Sequence, residues 1–134
     1  MITFRKRIEV EASADEAFRI ISDPDRITEF WKGTRRIIKE GKFYRVRFAF
    51  PAWGIMSFHP DADRMSVLTS YLKGPIRGSK IDAILIENGK TLIQTEWNVR
   101  LSLYLRPFER RIKSHFEIGA EHALLRIKED LEKK

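Results

Sequence analysis

The sequence predicts an α+β domain in which a curved antiparallel sheet of about six or seven strands wraps around one long C-terminal helix. Three observations lead there. The first ten residues alternate in hydropathy, the stretch from Gly33 to about Ser102 breaks into strand-like runs separated by turn residues, and the last segment repeats apolar residues at steps of three and four. At 134 residues the chain suits a single domain over 1–134, and a chain of that size can withdraw roughly two-thirds of its unfolded surface from water. With 43% hydrophobic and 34% charged residues it has both a core to bury and a solvated exterior, unlike a disordered or fibrous chain.

Residues 2–11 place Phe4, Ile8 and Val10 on one side and Thr3, Arg5, Arg7, Glu9 and Glu11 on the other, the period of a half-buried strand, with Lys6 interrupting the apolar side. Ser13-Ala14-Asp15-Glu16 has the form of a capping box, the Ser13 hydroxyl accepting from the Glu16 amide while the Glu16 carboxylate reaches back. Ala17, Phe18, Ile20 and Ile21 then supply the apolar stripe of a short helix. A second short helix follows, capped by Asp23 and begun by Pro24, whose missing N–H would go unpaired at a first position anyway. Ile27, Phe30 and Trp31 form its apolar face.

From Gly33 onward Gly41, Pro51, His59-Pro60-Asp61 and Gly74-Pro75 punctuate a meander. Its clearest hairpin is the last, where Asn88-Gly89 supplies the two positive-φ residues of a type I′ turn between strands over 81–87 and 91–103. In the second of these Thr95, Trp97, Val99 and Leu101 face one way, toward the core, and Gln94, Glu96, Asn98 and Arg100 the other. Pro107 opens the helix. Phe108, Ile112, Phe116, Gly119, Ala123, Ile127 and Leu131 recur along one face as far as about Lys133, with Glu109 near the positive end of the dipole and Lys133-Lys134 near the negative end. Ile118, Leu124 and Leu125 fall outside that stripe, which predicts a helix gripped on more than one side.

This order of elements, together with Ile8-Glu9-Val10-Glu11-Ala12-Ser13-Ala14-Asp15-Glu16-Ala17-Phe18 leading into Ser22-Asp23-Pro24-Asp25 and Phe30-Trp31, resembles the START/Bet v 1-like superfamily, including its polyketide cyclase and dehydrase group. The resemblance covers the whole chain in element order and the first ~35 residues in detail, and it marks a fold more than a function. It implies a helix-grip fold with a deep cavity between sheet and long helix, used across the superfamily for lipids, sterols, polyketides and hydrophobic hormones. It carries no catalytic position across, because the superfamily shares none.

A cavity of that kind would be lined by Tyr44, Phe48, Trp53, Met56, Tyr71, Trp97, Phe108, Ile112 and Phe116, large side chains of the sort that form small-molecule pockets. The same residues could instead close the space by packing on one another. Gly119 stands on the inward stripe, where a mid-helix glycine costs about 1 kcal/mol relative to alanine; room for a ligand, a bend, or close contact with a residue such as Trp97 would each explain it. His115 could donate to a ligand head group or exchange a proton, or stand hydrogen-bonded and inert at the edge of the stripe. It lies seven residues from His122, where a shared metal wants four, and with His59 remote and no cysteine the sequence gives no zinc pattern.

Absence of cysteine excludes disulfides, thiolate nucleophiles and iron–sulfur clusters. The seven glycines form no GxGxxG or phosphate loop and no serine sits in a GxSxG elbow, so no cofactor is expected. Charge near the start, in Arg5-Lys6-Arg7, and the lack of a long apolar run point to a cytoplasmic protein with no membrane span. Scarce Asn and Gln beside many Lys, Arg and Glu fit a thermophilic source. A net charge of +7 favours anionic partners. Phe43-Tyr44-Arg45-Val46-Arg47-Phe48 mixes rings with arginines, yet alternation separates Arg45 and Arg47 from Tyr44 and Phe48, which speaks against a nucleic-acid surface. Lys6, Arg47 or Arg110 could hold an acidic head group near the cavity mouth. The expected function is therefore a carrier or sensor, monomeric or homodimeric, for a small hydrophobic or amphipathic ligand such as a long-chain fatty acid. A cyclase or dehydratase using a cavity Tyr or His is the alternative, ahead of a nucleic-acid-binding module.

Overall fold

The structure, a computed structural model, describes residues 1–49 and 52–133, so Pro51 and Lys134 lie outside the described residues. Strand β1 (Ile2–Val10) alternates as its hydropathy requires, burying Ile2 and Val10 at its ends. Lys6, on its apolar side, extends its ammonium to Glu121 of the C-terminal helix at 2.8 Å. Both halves of the capping box form between Ser13 and Glu16 and start α1 (Ala14–Ile21). Asp23 accepts from the Asp25 amide at 3.0 Å, and the second short helix divides into a 3-10 turn (Pro24–Arg26) and a single α turn, α2 (Ile27–Phe30).

The remaining strands are β2 (Thr34–Glu40), β3 (Phe43–Phe48), β4 (Trp53–Asp61), β5 (Ser66–Lys73), β6 (Ile76–Glu87) and β7 (Lys90–Leu101). They and β1 form one seven-stranded antiparallel sheet in the order β1-β7-β6-β5-β4-β3-β2, so each strand from β3 on pairs with its predecessor and β1 closes on β7. Asn88 and Gly89 take the positive φ values of 54° and 75° expected of the last turn. Several boundaries differ from the sequence reading: β7 ends at Leu101 rather than at 103, because Leu103 opens a 3-10 segment. β6 begins at Ile76 rather than at 81, because Gly78 (φ 131°) passes against the Asn98–Val99 backbone where a Cβ would collide. β4 continues through His59-Pro60-Asp61, which the sequence reads as a break; β3 pairs with β4 only from Trp53 to Met56, so Pro60 lies where a missing N–H is tolerated.

Helix α3 (Glu109–Glu132) starts later than Pro107, after a 3-10 segment over Leu103–Phe108. A proline disfavours the α conformation at the residue before it, which holds back regular helix until Pro107 is passed. The helix buries Ala120, Ala123, Leu124 and Ile127. Leu124 shares that face because it lies four residues beyond Ala120, whereas Ile118 and Leu125 are half exposed, so α3 is held from one side and not gripped from several. Two apolar clusters flank it: one around Met56, Tyr71, Trp97 and Leu101, the other around Ala17, Phe30, Ile84 and Leu124. Trp31 packs against both.

Candidate ligand cavity

The concave face of the sheet is set by the last hairpin. Counting back from the Asn88-Gly89 turn puts Lys80 opposite Trp97 and Asp82 opposite Thr95, and residues directly opposite in an antiparallel pair share a face. Further along the first of these rungs, Thr69 of β5 stands opposite Lys80, and Phe4 of β1 opposite Trp97. Trp97 points inward, so Lys80 and Asp82 do as well. Both are buried, and so are Thr69 and Thr95.

Between this face, α2 and α3 lies a cavity of about 100 Å³. Its walls are Ile20, Ile21 and Ile27 from the short helices, Phe48, Met56, Phe58 and Tyr71 from the sheet, and Phe116, Ala120, Leu124 and Ile127 from α3, with Trp31 and Trp97 facing each other. The rings of Trp31 and Trp97 are 5.9 Å apart, and Trp97 also stacks on Phe4 and meets Phe116, each at 5.4 Å. The lining residues that are solvent-exposed mark the mouth: Lys32 and Gly33 in the turn after α2, Ala49 at the end of β3, and His115 and Gly119 on α3.

Asp23, Arg26, Thr34 and Thr69 also line the cavity, and its buried charges are Lys80 and Asp82. Lys80 Nζ sits 3.4 Å above the Trp31 ring and 5.4 Å from that of Trp97, with the Asp82 carboxylate 3.4 Å away. Burial pushes the Lys80 ammonium below its usual range, against the pull of the Asp82 charge. Burial likewise raises the Tyr71 phenol, and the nearby Asp82 carboxylate raises it further. Trp97 Nε1 donates to Thr95 Oγ1 at 3.1 Å. An ammonium carries three donors, and Asp82 is its one ion-pair partner among the described residues.

No protein-family model matches the sequence, and no curated protein does. Solved structures do. A START superfamily protein from Mycobacterium smegmatis superposes with a TM-score of 0.76 at 17% identity, covering 98% of this chain and 99% of the other. The Zhui aromatase/cyclase from Streptomyces sp. R1128 gives 0.73 at 14% identity, with 98% and 93% covered. This chain has the START/Bet v 1-like helix-grip fold. Truncated norcoclaurine synthase from Thalictrum flavum shares it, with a TM-score of 0.69 at 16% identity over 98% of this chain and 94% of that one.

Within the cavity the side chains named from the sequence are distributed unevenly. Phe48, Met56, Tyr71, Trp97, His115, Phe116 and Gly119 line it. Tyr44 and Ile112 are half-buried and pack on the core cluster without reaching the cavity. Trp53 lies outside, because it pairs opposite Arg47 and takes that residue's outward face, where the guanidinium groups of Arg45 and Arg47 stand 5.0 and 5.9 Å from its ring. Phe108 is exposed, since the chain there is still in the 3-10 segment. Lys6, Arg47 and Arg110 are not at the mouth. Nothing lies within 4 Å of where a Gly119 side chain would begin, so contact with Trp97 does not explain that glycine. Lys80 and Asp82 are absent from the sequence reading, which begins their strand one residue after Lys80.

Proposed function

We propose that this protein binds a compact hydrophobic molecule bearing a neutral oxygen head, a hydroxyl or carbonyl, with the apolar body among the aromatic side chains and the head at Lys80. The observation that carries this reading is a buried Lys80–Asp82 pair on the wall of a largely apolar, open-mouthed cavity. The space is of the order of the ~150 Å³ cavity that takes one benzene ring, which favours a single ring or a short chain; a long-chain fatty acid would leave most of its length in the mouth. An anionic head would meet the Asp82 carboxylate beside Lys80. A hydroxyl satisfies both, accepting from the ammonium and donating to the carboxylate.

Tryptophan fluorescence tests this, because Trp31 and Trp97 line the cavity and Trp53→Phe removes the outside signal. Saturable quenching by 4-ethylphenol should be about ten- to a hundredfold tighter than by ethylbenzene, as expected for a hydrogen bond to a charged group. Lys80→Met should abolish that difference. Failure of every ring-sized or short-chain probe to bind would remove the proposal.

A second reading rests on the same residues. Lys80, Asp82 and Tyr71 are proton-handling groups in a space of low polarity, the setting in which a small cyclisation or dehydration could be catalysed by an acid–base pair. It is separated from pure binding by turnover of a bound carbonyl compound that Lys80→Met removes and His115→Ala, at the rim, leaves.

A further inference from the structure

A second feature stands at one end of the sheet, outside the residues that line the cavity. The register brings together there the start of β1, the end of β7, the start of β6 and the end of β5. Ser102, just past β7, donates its hydroxyl to the Gly74 carbonyl at 2.8 Å, tying the approach to α3 onto the turn between β5 and β6. On this end the 3-10 segment carries Leu103, Tyr104 and Phe108 at 75, 64 and 54% exposure, and Leu72 is exposed at the tip of β5. Three large apolar side chains held outward in six residues oppose the ordinary tendency of a chain to bury them.

The charges around them share one sign. Over 100–113 the sequence has Arg100, Arg106, Arg110, Arg111 and Lys113 against the single acid Glu109, which the terminal ammonium of Met1 approaches at 3.4 Å. Arg77 and Arg100 stand directly opposite each other on the outer sheet face, a like-charge pair that repels. Among the described residues neither they nor Arg110 and Arg111 enter an ion pair. Apolar and aromatic tips ringed by uncompensated arginines match the two layers of an anionic bilayer surface, acyl boundary and headgroup. A nucleic acid would use the charges and stack on the rings, but has no call on Leu103 or Leu72.

We propose that this end, Leu103–Phe108 with its flanking arginines, docks the protein onto an anionic lipid surface. The docking is independent of what the cavity holds. It also brings the mouth toward the bilayer, since Ala49 follows β3 at the same end of the sheet and His115 lies two helical turns from Phe108.

Co-sedimentation with vesicles of phosphatidylcholine alone and of phosphatidylcholine with phosphatidylglycerol tests it. The full chain should pellet with the anionic vesicles and not the neutral ones, and binding should fall at least tenfold between 0.1 and ~0.5 M salt as the charges are screened. Leu103→Ser/Tyr104→Ser/Phe108→Ser and, separately, Arg110→Glu/Arg111→Glu should each weaken it at least tenfold, with thermal unfolding unchanged because all five side chains are exposed. No association with anionic vesicles, or association that the triple substitution leaves intact, would overturn the proposal. Retention on single-stranded RNA that Arg110→Glu/Arg111→Glu weakens, with no vesicle binding, would assign the end to nucleic acid instead.

Discussion

Lys80→Met isolates a buried ion pair on the cavity face. Lys80 and Asp82 are 5 and 7% exposed with charged atoms 3.4 Å apart, and methionine keeps most of the lysine's length and volume. What the substitution removes is the charge, leaving the Asp82 carboxylate buried without its partner. Breaking a buried pair on one side costs about 3–5 kcal/mol, whereas replacing both partners by apolar groups is often neutral or better. Urea unfolding should therefore give a loss of about 3–5 kcal/mol for Lys80→Met, a drop in Tm of roughly 10–20 °C for a domain of this size. Lys80→Met/Asp82→Leu should return to within about 1 kcal/mol of the parent. The pH dependence gives a second readout. Lys80's folded value lies below its ordinary 10.5, so between the two the unfolded chain binds more protons and stability rises with pH. That contribution is complete above 10.5 and is lost as pH falls through the folded value, and Lys80→Met should lack the slope. Single losses that simply add in the double variant, with no recovery, would refute the burial argument.

Two further outcomes follow from the helix. Gly119→Ala should raise stability by about 1 kcal/mol in urea unfolding, since the added methyl meets nothing within 4 Å, while Gly119→Leu should slow probe uptake in stopped-flow quenching by narrowing the mouth; a destabilised Gly119→Ala would mean that α3 sits closer to the sheet. Glu132 accepts from Lys128 Nζ at 2.6 Å and from the Glu11 amide at 2.8 Å, which hold its carboxyl below the ordinary 4.5. Its contribution is present above 4.5 and lost as pH falls through the lower folded value, so Glu132→Gln should flatten the acid limb of a Tm-against-pH curve, and an unchanged limb would dismiss the clamp.

Much of the architecture was written in local pattern. Ser13 and Glu16 cap a helix wherever the chain places them, Asn88-Gly89 turns a hairpin through its own φ preferences, and the alternation from Thr95 to Leu101 decides which side of β7 is buried. Even Lys80 and Asp82 were within reach. A two-residue turn fixes the register, so an inward Trp97 requires an inward Lys80. That inference was obscured because Ile81 and Ala83, on the outward face, look like the better core residues, and Ile81 is in fact 40% exposed.

Other features had no local signal. Trp53 and Phe48 are both large and aromatic, and only the pairing of Trp53 with Arg47 turns one outward while the other lines the cavity. Whether the aromatic side chains closed on one another or left a space depended on how α2 and α3 sit over the sheet, a distance set by contacts far apart in sequence, such as Arg126 donating to the Phe30 carbonyl at 2.8 Å. The sequence by itself determined the elements, their order and the buried face of β7, because those follow from neighbouring residues. The tertiary structure decided the cavity, its mouth and its charged pair, because these arise where side chains from separate elements meet and no one element records the others' positions.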